Sequence, residues 1–176
     1  MKQLLLFIFS MSGLCAVPAK AVQMLFFHYT KEGYSISYPE TWRIDTSGSL
    51  MNIPLFLFAP KDAPEDSVFE NLHIATQALN GQEMDLGSML APSVQEYSGM
   101  FNGFRLIDSA VTTIDGKPAA LISFVYNPGS MQLRMITTYV KRKDRLFMIN
   151  VTAEEHNYPQ YAATFDAIIR SFHIDQ

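Results

Sequence analysis

From Gly103 the sequence is punctuated so regularly that few folds remain open to it. FRLIDSAVTTI, KPAALISFVY, MQLRMITTYV and RLFMINVTA are strand-like runs separated by Asp115-Gly116, by Asn127-Pro128-Gly129 and by the run KRKD. Runs rich in β-branched and aromatic residues, joined by turns this tight, pair with their sequence neighbours. The spacing predicts a four-stranded antiparallel meander, and the rest of the chain has to be arranged around it.

Further upstream, MLFFHYT and YSISY flank Lys31-Glu32-Gly33, a short glycine-containing connection, and together they read as a hairpin. In the second run Tyr34, Ile36 and Tyr38 share one face and Ser35 and Ser37 the other, the period-2 pattern of a half-buried strand. Pro39 cannot donate to a ladder and biases Tyr38 toward an extended shape, so the strand stops there and the chain turns over the sheet edge. Trp42, the only tryptophan, then returns to the apolar side as a core plug. PLFLFAP and ENLHIATQAL read as two more strands joined by the exposed acidic loop KDAPEDS.

Two stretches change to a helical period. Leu86, Leu90, Val94, Tyr97 and Phe101 form one stripe with Asp85 as N-cap, and Pro92 leaves two options, a helix kinked there or one that begins there. Tyr158, Ala162, Phe165, Ile169 and Phe172 form a second stripe, with Pro159 suited to the first turn. Strands in runs with helices between and after them predict an α+β fold, an α-β-α sandwich with a central antiparallel sheet.

The first residues bear on the compartment. Lys2, the apolar run from Leu4 to Val17 and the small-x-small ending Ala19-Lys20-Ala21 have the layout of a secretory signal peptide, with cleavage expected after Ala21. The run is shorter than the roughly 20 residues of a membrane span. Cys15 raises the alternative of a lipid anchor, but Leu14 stands where lipoprotein processing favours a small residue. Loss of residues 1–21 removes Lys2, Lys20 and no acid, making the formal charge of −4 two units more negative. That balance disfavours nucleic acid as a partner. The single cysteine leaves with the leader, and with it any disulfide, thiolate metal site or cysteine nucleophile. Residues 22–176, with no low-complexity linker or internal repeat, are expected to form one domain, a monomer, exported to the periplasm or secreted.

YSISYPETW, DGKPAALISF and FDAIIRSF, in that order and spacing, resemble the PsbP-like family, which includes photosystem II extrinsic proteins and bacterial periplasmic proteins of the DcrB type. The resemblance runs from Gly33 to Phe172, and within it Tyr38, Pro39, Trp42, Phe165, Ile169 and Phe172 read as core and turn residues. It implies an α-β-α sandwich and a non-catalytic binding or assembly role. The secretory leader, in place of a chloroplast transit peptide, separates this chain from the photosynthetic members.

Chemistry-bearing motifs are few. There is no G-x-S-x-G, H-E-x-x-H or P-loop pattern. His28, His73, His156 and His173 fall on different predicted elements without ligand spacing, so packed or surface histidines are expected in place of a zinc site. Asp62, Glu65 and Asp66 offer hard oxygen ligands, and photosynthetic relatives are linked to calcium retention, yet the spacing lacks an EF-hand pattern; a solvated loop is expected. Lys141, Arg142, Lys143 and Arg145 form a basic cluster at a hairpin tip, able to meet lipid phosphate or an acidic partner, or simply to keep an exposed turn soluble. The expectation is a non-catalytic module without a cofactor, binding a protein or envelope component. A hydrolase with a site assembled from distant residues, and a peripheral membrane-surface protein, are the alternatives.

Overall fold

The computed structural model describes residues 23–30, 32–61 and 70–175. The elements run β1 (Met24–Tyr29), β2 (Tyr34–Pro39), β3 (Arg43–Asp45), β4 (Leu55–Phe58), β5 (Asn71–Ala78), α1 (Leu86–Met100), β6 (Arg105–Ile114), β7 (Lys117–Tyr126), β8 (Leu133–Arg142), β9 (Arg145–Glu154), α2 (Tyr158–Arg170) and β10 (His173–Ile174). The meander β6 to β9 is continued by β5, β4 and β3 into a seven-stranded antiparallel sheet of order β3-β4-β5-β9-β8-β7-β6. Asp115 and Gly116 turn β6 into β7 with φ of 51° and 67°, a conformation that Asp tolerates and Gly adopts at no steric cost.

The opening hairpin forms, but β2 is not half-buried as its alternation predicts, since Ser35 is 4% exposed between β1 and β10, and the hairpin does not join the large sheet. β2 takes β1 on one side and the two-residue β10 on the other, giving a separate three-stranded sheet. α2 ends at Arg170, so Phe172 lies in the link to β10, where it is nearly fully buried. β3 and β10 span three and two residues, too few for any periodicity to mark them in the sequence.

Strand alternation gives the large sheet two cores. Ala120, Ile122 and Phe124 of β7 point toward α1, where Leu86, Leu90, Val94, Tyr97 and Phe101 meet them, the stripe read from the sequence. The Asp85 carboxylate accepts the Ser88 amide at 2.8 Å and starts α1, which then continues through Pro92. Of the two options for Pro92, a helix beginning there is excluded. On the opposite face Phe147, Ile149, Val151 and Ala153 of β9 pack under α2 and the small sheet. The architecture is α+β, with helices on both faces of an antiparallel sheet and the small sheet sharing one face with α2.

The turn after β2 delivers Trp42 to that second core. The Trp42 amide donates to the Pro39 carbonyl at 2.9 Å, and the indole meets Phe165 and Tyr161 edge-on at 5.6 and 6.4 Å. Trp42 is 6% exposed, Tyr38 8% and Phe165 1%, so burial of large aromatics joins β2, α2 and the sheet.

A candidate ligand cleft beside α2

Side chains on the α2 face of the large sheet change character from one edge to the other. One row crosses it as Leu57, Leu72, Val151, Ile136, Ser123 and Asp108, and the next as Leu55, Ile74, Ile149, Thr138, Leu121 and Ala110. The bulky apolar half lies under α2 and the small sheet. The smaller, hydroxyl-bearing half, on β8, β7 and β6, borders a cleft of about 350 Å³. That volume is within the range of small-molecule sites.

The other wall is α2. Its deepest residues are Tyr161, Phe165 and Ile168, whereas the expected stripe Tyr158, Ala162, Phe165 and Ile169 runs along the flank that lines the cleft. The apolar face of α2 is wider than the core consumes, and the surplus becomes a wall. Tyr158 is held from behind by Arg134, whose guanidinium lies 4.2 Å from the ring centroid and donates twice to Glu155 at 2.7 and 2.8 Å.

Ser123 and Thr138 carry the polar chemistry of the floor. They are 6% and 3% exposed and line the cleft, and neither hydroxyl has a hydrogen-bond partner among the described residues. Their oxygens are not among the buried atoms that lack a partner, so solvent reaches them through the cleft. These two therefore offer a ligand donors and acceptors that the protein does not use. At the mouth stand Asp108, Asp166 and Arg170, and Arg170 Nε donates to Asp166 Oδ2 at 2.7 Å.

The residues singled out in the sequence are placed elsewhere. Lys141, Arg142, Lys143 and Arg145 do gather around the β8–β9 turn, but two of them are engaged. Lys141 donates to the Met84 carbonyl at 2.8 Å, ahead of α1. Arg145 reaches back to the β1–β2 turn, donating to the Glu32 carbonyl at 3.0 Å and pairing with the Glu32 carboxylate. Asp144 sits in the middle of the cluster and fixes the loop after β5 through the amide of Gly81 at 2.7 Å. Asp62, Glu65 and Asp66 lie outside the described residues, as do the leader and Cys15.

Three histidines meet carboxylates on open surface. His28 lies 2.7 Å from Asp175, His173 2.9 Å from Asp115 and His156 3.1 Å from Glu154. None of the three lines the cleft beside α2. His73 packs its ring 4.8 Å from Phe56 with Nδ1 buried and unpartnered, and burial pulls its pKa down to about 4. Among the described residues no group of three or more His, Cys, Asp or Glu is arranged to hold a metal ion.

Leu121, Ser123, Thr138 and Asp108 escaped the sequence reading because they look like ordinary alternation within strands. The available signal was the contrast between the faces of β7, Ala120, Ile122 and Phe124 on one and Ala119, Leu121 and Ser123 on the other.

Known structures share this architecture. Cyanobacterial PsbP (CyanoP) from Synechocystis sp. PCC 6803 is 17% identical, with a TM-score of 0.64 over 93% of this chain and 98% of that one. LpqN of Mycobacterium tuberculosis, described as involved in cell envelope biogenesis, is 15% identical with a TM-score of 0.63 over 89% of this chain and 93% of its own. PA94 of Pseudomonas aeruginosa, a putative regulator of unknown function, is 16% identical with a TM-score of 0.60 over 84% and 94%. No curated protein matches the sequence. At these identities the structures establish a common fold, and the family follows from a sequence model described as PsbP-like protein that matches residues 18–174: the chain belongs to the PsbP-like family.

Proposed function

We propose that this chain is an exported, non-catalytic binding module whose ligand occupies the cleft beside α2. The observation that carries this reading is the pair of unpartnered hydroxyls of Ser123 and Thr138, on almost wholly buried residues, opening into a cleft walled by the apolar flank of α2. Apolar walls supply affinity and a few placed polar groups supply orientation, the usual division of labour in a small-molecule site. Membership of the PsbP-like family and the export layout of residues 1–21 support the module and its compartment.

The test is a fluorescence titration of the purified chain with N-phenyl-1-naphthylamine, a neutral apolar probe. Saturable binding lost in Ala162→Trp, which fills the cleft from the α2 flank, is the expected result. Binding that survives Ala162→Trp overturns the assignment. Intact mass of the protein recovered from cells addresses export separately: a chain beginning at Val22 is expected, and one retaining acylated Cys15 overturns the soluble form.

A further inference from the structure

The mouth of the cleft carries an uncompensated charge, which bears on the class of ligand. Arg170 and Asp166 neutralise each other through their i,i+4 hydrogen bond. Asp108 remains, projecting from β6 in the same row as Ser123, with no basic partner among the described residues. Arg105, the nearest base along β6, instead approaches Glu155 at 3.8 Å. The cleft therefore presents one net negative charge beside the open hydroxyls of Ser123 and Thr138, with Thr112 and Thr113 also in its lining.

Its apolar part is elongated. Tyr158, Ala162, Phe165 and Ile169 follow one another along a single flank of α2, which at 1.5 Å per residue spans about 16 Å. Leu121 and Ile136 face that flank from the sheet. A chain-like apolar body fits such a trough, and the polar end belongs where Asp108 and Ser123 lie.

We propose that the cleft binds a small amphipathic amine, with its alkyl or aryl body against α2 and its ammonium between Asp108 and the hydroxyl of Ser123, its cross-strand partner. This rests on the reading of the cleft as the binding site. An ammonium supplies donors to both the carboxylate and the hydroxyl. A carboxylate of the same length faces Asp108 as a like charge, which disfavours it.

Displacement of bound N-phenyl-1-naphthylamine by decylamine, decanol and decanoate at low ionic strength tests the inference. The expected order is amine, then alcohol, then carboxylate, with amine over carboxylate by at least about fivefold, as for an exposed charge pair, and with the margin shrinking in high salt. Asp108→Asn is expected to bring the amine and carboxylate together while leaving decanol unchanged. Glu40→Gln, remote from the cleft, controls for the overall acidity of the chain and is expected to leave the margin intact. Urea midpoints confirm that each variant is folded. Probe binding that disappears in Ala162→Trp, combined with no preference for the amine or a preference that Asp108→Asn does not alter, overturns the head-group inference alone. Binding insensitive to Ala162→Trp removes the site and the inference together.

Discussion

Arg134 stacks its guanidinium on the Tyr158 ring at 4.2 Å while Glu155 accepts two hydrogen bonds from the edge of the same guanidinium. The planar fork makes both contacts at once, a geometry that a lysine ammonium cannot reproduce. Arg134→Ala is expected to cost about 2 kcal/mol through the lost charged hydrogen bonds, and to weaken probe binding by freeing Tyr158. Arg134→Lys should restore little of either. Urea unfolding and probe titration of both variants check this, and equal recovery by lysine would show that charge alone matters.

Trp42 ties β2 to α2 through edge-on contacts with Phe165 and Tyr161. Trp42→Ala leaves a large void in a packed core and is expected to destabilise by about 3–5 kcal/mol. A change within the range of ordinary surface substitutions would place the indole outside the core.

The four basic residues at the β8–β9 turn are expected to divide into two pairs. Arg142→Ser and Lys143→Ser should each change stability by no more than about 0.5 kcal/mol. Lys141→Ala and Arg145→Ala should each cost about 1–2 kcal/mol because each breaks a bond to a backbone carbonyl. Salt-sensitive vesicle binding that is lost only in the first pair would support attachment at the tip.

His73 is predicted to make stability depend on pH between about 6.5 and 4. Burial lowers its pKa to about 4 in the folded chain, whereas the unfolded chain protonates near 6.5. In this window the unfolded state binds more protons, so stability falls as pH falls. His73→Phe removes the buried unpartnered nitrogen and keeps a ring against Phe56. Its stability curve is expected to be flatter over that interval, and an unchanged slope would contradict the burial.

Asp115 governs a lower window. Partial desolvation opposes its ionisation, but hydrogen bonds from Lys117, His173 and the Ile174 amide outweigh that and bring its pKa to about 2. The contribution is present above the ordinary carboxylate value near 3.9 and is lost as pH falls toward 2. Asp115→Asn preserves a turn that requires φ of 51° while removing the titration. Its loss of stability between pH 4 and 2 should be smaller than that of the parent chain.

Legibility in the sequence followed the length of each signal. The ten-residue runs β6 to β9 and the stripe from Leu86 to Phe101 repeat often enough for their faces to be read. Trp42 could be placed because Pro39 dictates where the preceding strand must turn. The cleft could not be read, because it arises from a deficit: Ser123 and Leu121 are acceptable residues for a strand, and only the pairing of β7 with β8 and the position of α2 reveal what fails to cover them. The engagement of Lys141 and Arg145 was hidden for a related reason, since their partners Met84 and Glu32 are 57 and 113 positions away.

The small sheet sets the order in which this molecule can be completed. β2 is flanked at Ser35 by His28 on one side and His173 on the other, and the His28–Asp175 contact joins residues 147 positions apart. During synthesis β1 and β2 emerge early and can form only a two-stranded ribbon, which is marginal in water. Tyr34 and Ile36 then wait, exposed, for the packing of Phe172 and Ile174 that buries them. Contacts this distant in sequence close late and slowly, so the β1–β2 ribbon keeps its apolar face open until β10 has been made.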